Sequence, residues 1–355
     1  METNRAPGVS KKQMFPIMLT AFITPFMGSA LNLSIPSMSA YFSAGAVSVG
    51  WVITAYYLSS TALLIPFGKI ADLYGKKKIF LTGILLFGIL SLLSVFAWSI
   101  GAVILFRLGQ GIGASMIFAT NTALVASNFP VSVRGKMMGL SVMCTYLGLS
   151  VGPVLGGLLN RHFGWRSIFV FSEGYCVLAL VTALFILEED SAGGGEKAEG
   201  RVKETGPEDY SDETEKFSPQ RKTLDLPGCI LFTMASGTFL YGLSNITTST
   251  VARMVFLVSF FLIGLFIRTE LKTEEPVLDL KMFTGNRAFT LSNAAALLNY
   301  GASSSISYLL SVYLQNVRGF SSDRAGLILI ATPILQAALS PLAGRLSDRY
   351  SPYRL

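Results

Sequence analysis

The chain has 355 residues, of which 51% are hydrophobic and only 14% charged, against about 25% charged in an average soluble domain. With apolar runs of roughly 20 residues recurring along its length, that balance excludes a soluble globular protein and points to an all-α, multi-pass membrane protein. The net charge of +7 is what basic residues at cytoplasmic helix ends produce, so no nucleic-acid partner is implied.

Taken in chain order, the apolar runs predict ten spans, at 14–35, 48–68, 79–98, 100–127, 137–159, 167–187, 224–243, 251–269, 288–314 and 322–343. Each is long enough to cross a core of about 30 Å at about 1.5 Å per residue. The first has no small-residue cleavage site behind it and reads as an uncleaved span. Residues 188–223, Gly-rich and charged without aliphatic periodicity, read as a disordered cytoplasmic linker. With the N-terminus in the cytoplasm, 22 Lys and Arg fall inside and five outside, which sets the orientation expected in a plasma membrane.

Between the second and third spans lies Gly68-Lys-Ile-Ala-Asp-Leu-Tyr-Gly-Lys-Lys-Lys78. Glycines let two helix ends approach and turn. Asp72 is suited to face a helix N-terminus, where a negative charge is stabilised by up to roughly 1–2 kcal/mol. Lys76 and Lys77 mark topology, but charge alone gives no reason for Gly68, Asp72 and Gly75, so a conformational switch is expected beside the topological role. A poorer copy, Gly344-Arg-Leu-Ser-Asp348-Arg-Tyr, returns near the last residue. Internal repeats of this kind are a transporter feature.

Arg107 lies well inside the fourth span. A cation there costs at least about 2.5–3.5 kcal/mol and faces a cavity or a partner. Gln110, Ala114, Phe118 and Asn121 share its face within about 60°, a polar and small surface suited to a water-filled cavity; the alternative is an arginine held by backbone carbonyls. In the fifth span Gly148, Gly152 and Gly156 recur every four residues, with Gly157 beside them. Small residues so spaced permit close helix packing in lipid, and Pro153 permits a bend. A packing seam and a sliding seam are compatible readings. In the first span Pro25, Ser29, Asn32 and Pro36 lie within about 40° of one face. Glu173 is the one carboxylate placed inside a span. It reads either as a titrating group when desolvated or as a glutamate that snorkels to water. His162 falls in an outer loop. Cys144, Cys176 and Cys229 are odd in number and lack ligand spacing, so neither disulfides nor a metal site is argued. No catalytic constellation and no phosphate loop is present, so no enzyme activity and no cofactor are expected.

These motifs together resemble the major facilitator superfamily. Gly68 to Lys77 is similar to its loop 2–3 signature, Arg107 to Ala114 ("RLGQGIGA") to its fourth-span signature, and Gly148 to Gly157 ("GLSVGPVLGG") to the fifth-span signature of its drug–proton antiporters. Trp51, Tyr56, "HFGWRSIF", "TLDLPG" and "YLQNVRGFSSDRAGL" extend the likeness over nearly the whole chain and point to the fourteen-helix multidrug efflux branch. The resemblance implies a six-helix bundle over 1–187, two extra helices over 224–269, and the start of a second bundle over 270–355, with four more helices expected after Leu355. It implies a small-molecule cargo, proton coupling, Tyr56 near the cavity, and a polypeptide supplying the remaining helices if the chain ends there. It also implies that the fifth span packs on the tenth, and that Asp72 faces a thirteenth. One departure stands out: similar antiporters carry an acid a few residues before "NLSIP", where this chain has Met27. A uniporter or symporter of a small metabolite is the alternative reading, and a half that only associates with a partner is a third.

Overall fold

The apolar runs of the sequence fold as helices whose ends coincide with glycines, prolines and small polar caps. The structure, a computed structural model, describes residues 11–187, 224–247, 249–320 and 327–349. The 188–223 segment, read above as a linker, lies outside the described residues. The regular elements within them are helical.

Helix α1 (Met14–Ala30) continues through a 3-10 turn (Leu31–Ser34) into α2 (Ile35–Phe42). Next come α3 (Ala46–Ala62), α4 (Leu64–Tyr74), α5 (Lys76–Val95), α6 (Ile100–Asn128), α7 (Val131–Phe163) and α8 (Arg166–Ile186). The second group is α9 (Leu226–Ser244), α10 (Thr250–Glu270), the short α11 (Lys281–Gly285), α12 (Arg287–Val312) and α13 (Ala331–Arg349). Ser99 starts α6 by accepting the Ala102 N–H at 3.2 Å, as capping hydroxyls do. Asp225 and Asn286 start α9 and α12 in the same way. The turn between α4 and α5 is Gly75, whose φ of +102° suits a residue without a β-carbon.

Among the described residues, eight helices are long and apolar enough to cross a membrane, or nine when α3 and α4, bent by 47°, count as one span. The ten expected spans are therefore not all recovered at that level of apolarity. The ninth, α12, is a helix of 26 residues, but Asn293, Asn299 and the serines 303–305 dilute its apolar content. The first hinge is also more regular than expected. Gly68 to Tyr74 is helix, and only Gly75 turns the chain.

Helix α1 sits at the centre, with 83% of its apolar window buried, against 17% for α10 and 6% for the span ending α13. It packs on α7 and α8; α5 and α6 pair, and α3 lies on α6. Phe26, Tyr56, Phe80, Phe87 and Phe169 fill the interior between them. The outside is equally apolar: Leu257, Phe260 and Phe261 of α10 are more than half exposed. A contiguous apolar exterior over closed helical backbones is the arrangement a bilayer requires. Helices α9 and α10 form a hairpin that meets α3, where Trp51 stacks on Tyr241 with ring centroids 5.6 Å apart.

Candidate functional site

Arg107 is completely enclosed. Its Nε donates to the Val52 carbonyl at 3.0 Å, its Nη2 to the Met27 carbonyl at 3.4 Å, and its Nη1 to Gln110 Oε1 at 2.5 Å. Gln110 Nε2 passes the chain to Ser91 Oγ at 2.5 Å, and Ser91 lies 3.3 Å from the Ser172 hydroxyl. The guanidinium carbon sits 4.1 Å from the Tyr56 ring centroid, and the Tyr56 hydroxyl donates to the Thr24 carbonyl at 2.8 Å. One cation thus ties α1, α3, α5, α6 and α8 together. A charge this far from water is tolerated because each of its nitrogens finds an acceptor and an aromatic face lies beside it.

The polar face predicted for α6 exists, with Gln110 and Ala114 fully buried and Asn121 accepting from Thr20 Oγ1 at 3.1 Å. It packs against α1, α3 and α5 and does not open to water in this conformation. Asn32 stands apart, exposed in the 3-10 turn. Glu173 is half-buried on α8 beside Gly88, and its Oε2 has no hydrogen-bond partner among the described residues. Neither bonds Arg107.

The two hinge copies differ. Asp348 of the second copy accepts the N–H of Gly135 at 2.7 Å through Oδ1 and that of Lys136 at 2.8 Å through Oδ2, in the second turn of α7. Gly135 and Gly344 make this possible. A β-carbon on Gly135 would lie 2.7 Å from the Gly344 carbonyl, and one on Gly344 would lie 2.3 Å from the Gly135 carbonyl. Asp72 of the first copy is exposed, with no polar partner among the described residues. Around it, Lys69 Nζ donates to the Pro276 carbonyl at 3.1 Å, Lys77 Nζ donates to the Leu187 carbonyl at 2.5 Å, and Lys76 opens α5. Gly68 has open space where a β-carbon would be.

This contrast predicts an asymmetric response. Asp348→Asn removes one of two charge-assisted bonds and sets an amide N–H₂ against a backbone donor, a cost of about 1.5–3 kcal/mol to the α7–α13 contact. Amide exchange in the 131–138 peptide should accelerate in Asp348→Asn and stay unchanged in Asp72→Asn. Equal exchange in both variants would remove Asp348 as a clasp.

Helix α7 carries the glycine seam. β-Carbons on Gly148, Gly152 and Gly156 would meet α1 at the Phe22 carbonyl (2.3 Å), the Ser29 hydroxyl (2.0 Å) and the Ala30 carbonyl (2.5 Å). Gly157 sits at the seam's edge with its nearest atom, on Leu33, at 3.1 Å. Pro153 lies within the helix between them. The same helix meets α13 through Gly135 and Gly139, a β-carbon on the latter lying 2.5 Å from the Ser340 carbonyl.

Three sets of residues were not singled out by sequence. Ser91 and Ser172 carry no signal beyond small polarity inside apolar spans. Lys69 counts in the sequence only as one more topology charge. Asp225 and Glu270, at the two feet of the α9–α10 hairpin, lie at the margins of the apolar runs, where a carboxylate is ordinary. Among the described residues no group of three or more His, Cys, Asp or Glu is placed to hold a metal ion, and Cys144, Cys176 and Cys229 are free thiols.

The model of the Major Facilitator Superfamily matches residues 17–355, nearly the whole chain. The chain belongs to the Major Facilitator Superfamily. It is 30% identical over 335 residues to the riboflavin transporter RibZ of Clostridioides difficile (strain 630), covering 94% of this chain and 67% of that one. It is 28% identical over 341 residues to the multidrug resistance protein Stp of Mycobacterium tuberculosis, covering 95% and 57%. It is 27% identical over 303 residues to the lincomycin resistance protein of Streptomyces lincolnensis, covering 84% and 57%. The chain thus spans between about half and two thirds of the length of these relatives. The proton:xylose symporter XylE has the same fold, with a TM-score of 0.55 and 12% identity over 96% of this chain and 69% of that one. A multi-span, all-helical superfamily member is therefore what the sequence and the structure both describe.

Proposed function

We propose that the chain works as the carrier part of an exporter of amphipathic, multidrug-type compounds. It acts by alternating access with protons as the driving ion, in the plasma membrane with its N-terminus in the cytoplasm, and belongs to the fourteen-helix branch. The observation that carries this reading is the Asp348 clasp on α7. Two carboxylate oxygens on two backbone N–H groups, between glycines in backbone contact, form a polar clasp at one end of a close helix–helix contact. A joint of that kind suits two halves that rock against each other around a midplane site. The multidrug and lincomycin resistance relatives support the cargo class.

A second reading has its own observation. Met27 is fully buried, and its carbonyl, not an acid, receives Arg107. With no carboxylate bonded to Arg107 among the described residues, a uniporter or symporter of a small metabolite is the alternative, and the riboflavin transporter relative favours it. Helix α12 is exposed along most of its length, and Asn293, Asn299 and Tyr300 are exposed on it. Polar groups exposed to hydrocarbon cost several kcal/mol each when unsatisfied, so the proposal includes further helices that cover this surface.

The test is efflux from cells expressing the chain alone and together with a polypeptide supplying further helices. Lipophilic cations and riboflavin serve as cargo, with and without a proton gradient. Gradient-dependent efflux of the cations, only when α12 is covered, is the expected result. Gradient-independent movement of riboflavin alone would replace the first reading with the second.

A further inference from the structure

The foot of the α9–α10 hairpin holds two carboxylates that the transport reading does not use. Asp225 caps α9 through Oδ1, which accepts the Gly228 N–H at 2.9 Å. Glu270 ends α10, and its Oε2 accepts the Leu278 N–H at 3.1 Å. The two residues are 9% and 3% exposed. Each keeps one buried oxygen, Asp225 Oδ2 and Glu270 Oε1, without a hydrogen-bond partner among the described residues. Those oxygens face the same spot: a β-carbon on Gly228 would lie 2.3 Å from the first and 2.4 Å from the second. A β-carbon at 228 would clash with both oxygens.

Among the described residues the charges around this spot are few. Lys69 of α4 is the cation whose field reaches Glu270, and its Nζ bonds the Pro276 carbonyl in the same loop that Glu270 anchors through Leu278. Cys229 of α9 lies within the field of both carboxylates and of Lys69. Helix α3, also packed on α9, carries no charged residue between Ala46 and Ala62. Among the described residues, two carboxylates against one ammonium leave one negative charge over in an enclosed site. An uncompensated buried charge is costly, and adjacent carboxylates do not both ionise readily.

We propose that Asp225 and Glu270 hold a single proton between them, so that the hairpin foot is a proton-binding site resting on Lys69 of the hinge helix. The protonated carboxyl donates to the other carboxylate, which gives both orphan oxygens a partner and leaves one negative charge opposite one ammonium. Loss of that proton would set two negative charges against Lys69. The site therefore links the charge of the hairpin foot to α4, the helix that carries Asp72. It does not depend on which cargo is carried.

The test is difference infrared spectroscopy of the full chain in lipid nanodiscs between acidic and alkaline buffer. A protonated-carboxyl band that fades as pH rises is expected, and it should be missing in Asp225→Asn and in Glu270→Gln alike. Lys69→Met, which leaves both carboxyls in place, should move the fading to higher pH, because removing a positive charge favours the proton. A band lost in only one carboxyl variant would assign the proton to a lone side chain and overturn the shared site. A band untouched by either would overturn it too, as would neutralisation by a basic residue of 188–223, seen as no band at all. Where a carboxyl variant fails to fold, Lys69→Met decides: an unmoved transition refutes the pair.

Discussion

Arg107→Ala is expected to abolish the proposed transport and to destabilise the packing of α1, α3, α5, α6 and α8 by several kcal/mol. Three acceptors lose their donor at once: the carbonyls of Val52 and Met27 and Gln110 Oε1. A buried polar group left unsatisfied costs about 1–3 kcal/mol. The Tyr56 ring loses its cation as well, and the missing side chain leaves a cavity in a close-packed interior. Arg107→Lys should restore part of the stability and little of the transport, since one ammonium does not reproduce a planar fork aimed at three acceptors. Unfolding by sodium dodecyl sulfate and cargo flux, measured on the same preparations, separate the two effects. Full flux in the lysine variant would mean that charge alone matters at this position. Wild-type flux and stability in the alanine variant would leave Arg107 without a role.

The second large effect is expected at Gly156. In Gly156→Leu the new β-carbon starts 2.5 Å from the Ala30 carbonyl oxygen and 2.9 Å from its Cα. Both are backbone atoms, so no side-chain rotation relieves the clash, and α1 and α7 must part. Overpacking costs about 1–3 kcal/mol where side chains can give way; here the upper end or beyond is expected, because the span that contains α1 is the most enclosed among the described residues. The folded yield in membranes should fall several-fold. Gly174→Leu is the control, since nothing lies within 4 Å of its would-be β-carbon. Similar yields for the two variants would show that the seam is loose enough to admit a side chain.

Much of this arrangement was legible from residue order, for identifiable reasons. Helix placement followed from apolar length, because a bilayer sets a minimum run that chance seldom produces. Arg107 stood out because a cation in such a run demands partners. Which partners it has was not legible: Val52 and Met27 contribute carbonyls, which every residue owns, so side-chain identity carries no trace of them. The hinge copies looked alike in sequence, yet Asp348 meets α7 and Asp72 meets no polar partner among the described residues. Motif similarity records what a residue is able to bind, and the neighbour decides whether it does. Gly148, Gly152 and Gly156 announced a seam by their spacing, but not its partner α1. The pairing of Asp225 with Glu270 was hidden for a further reason. The two residues lie 45 positions apart, and each alone is a normal residue for the end of a membrane helix.

Helix α7 has 33 residues and two allegiances. Its Gly148–Gly156 stretch lies on α1, and its Gly135–Gly139 stretch lies on α13. Gly139 and Gly148 are nine positions apart, about 13 Å of helix, so one rod offers glycine contacts to two different neighbours. Such a rod behaves as an axle. If α13 turns about it, the α1 grip acts as the fixed bearing and the Asp348 clasp as the part that lets go. Substitutions along α7 should then sort by position: those near the α1 grip change how much protein survives, and those near the α13 grip change how fast the surviving protein turns over.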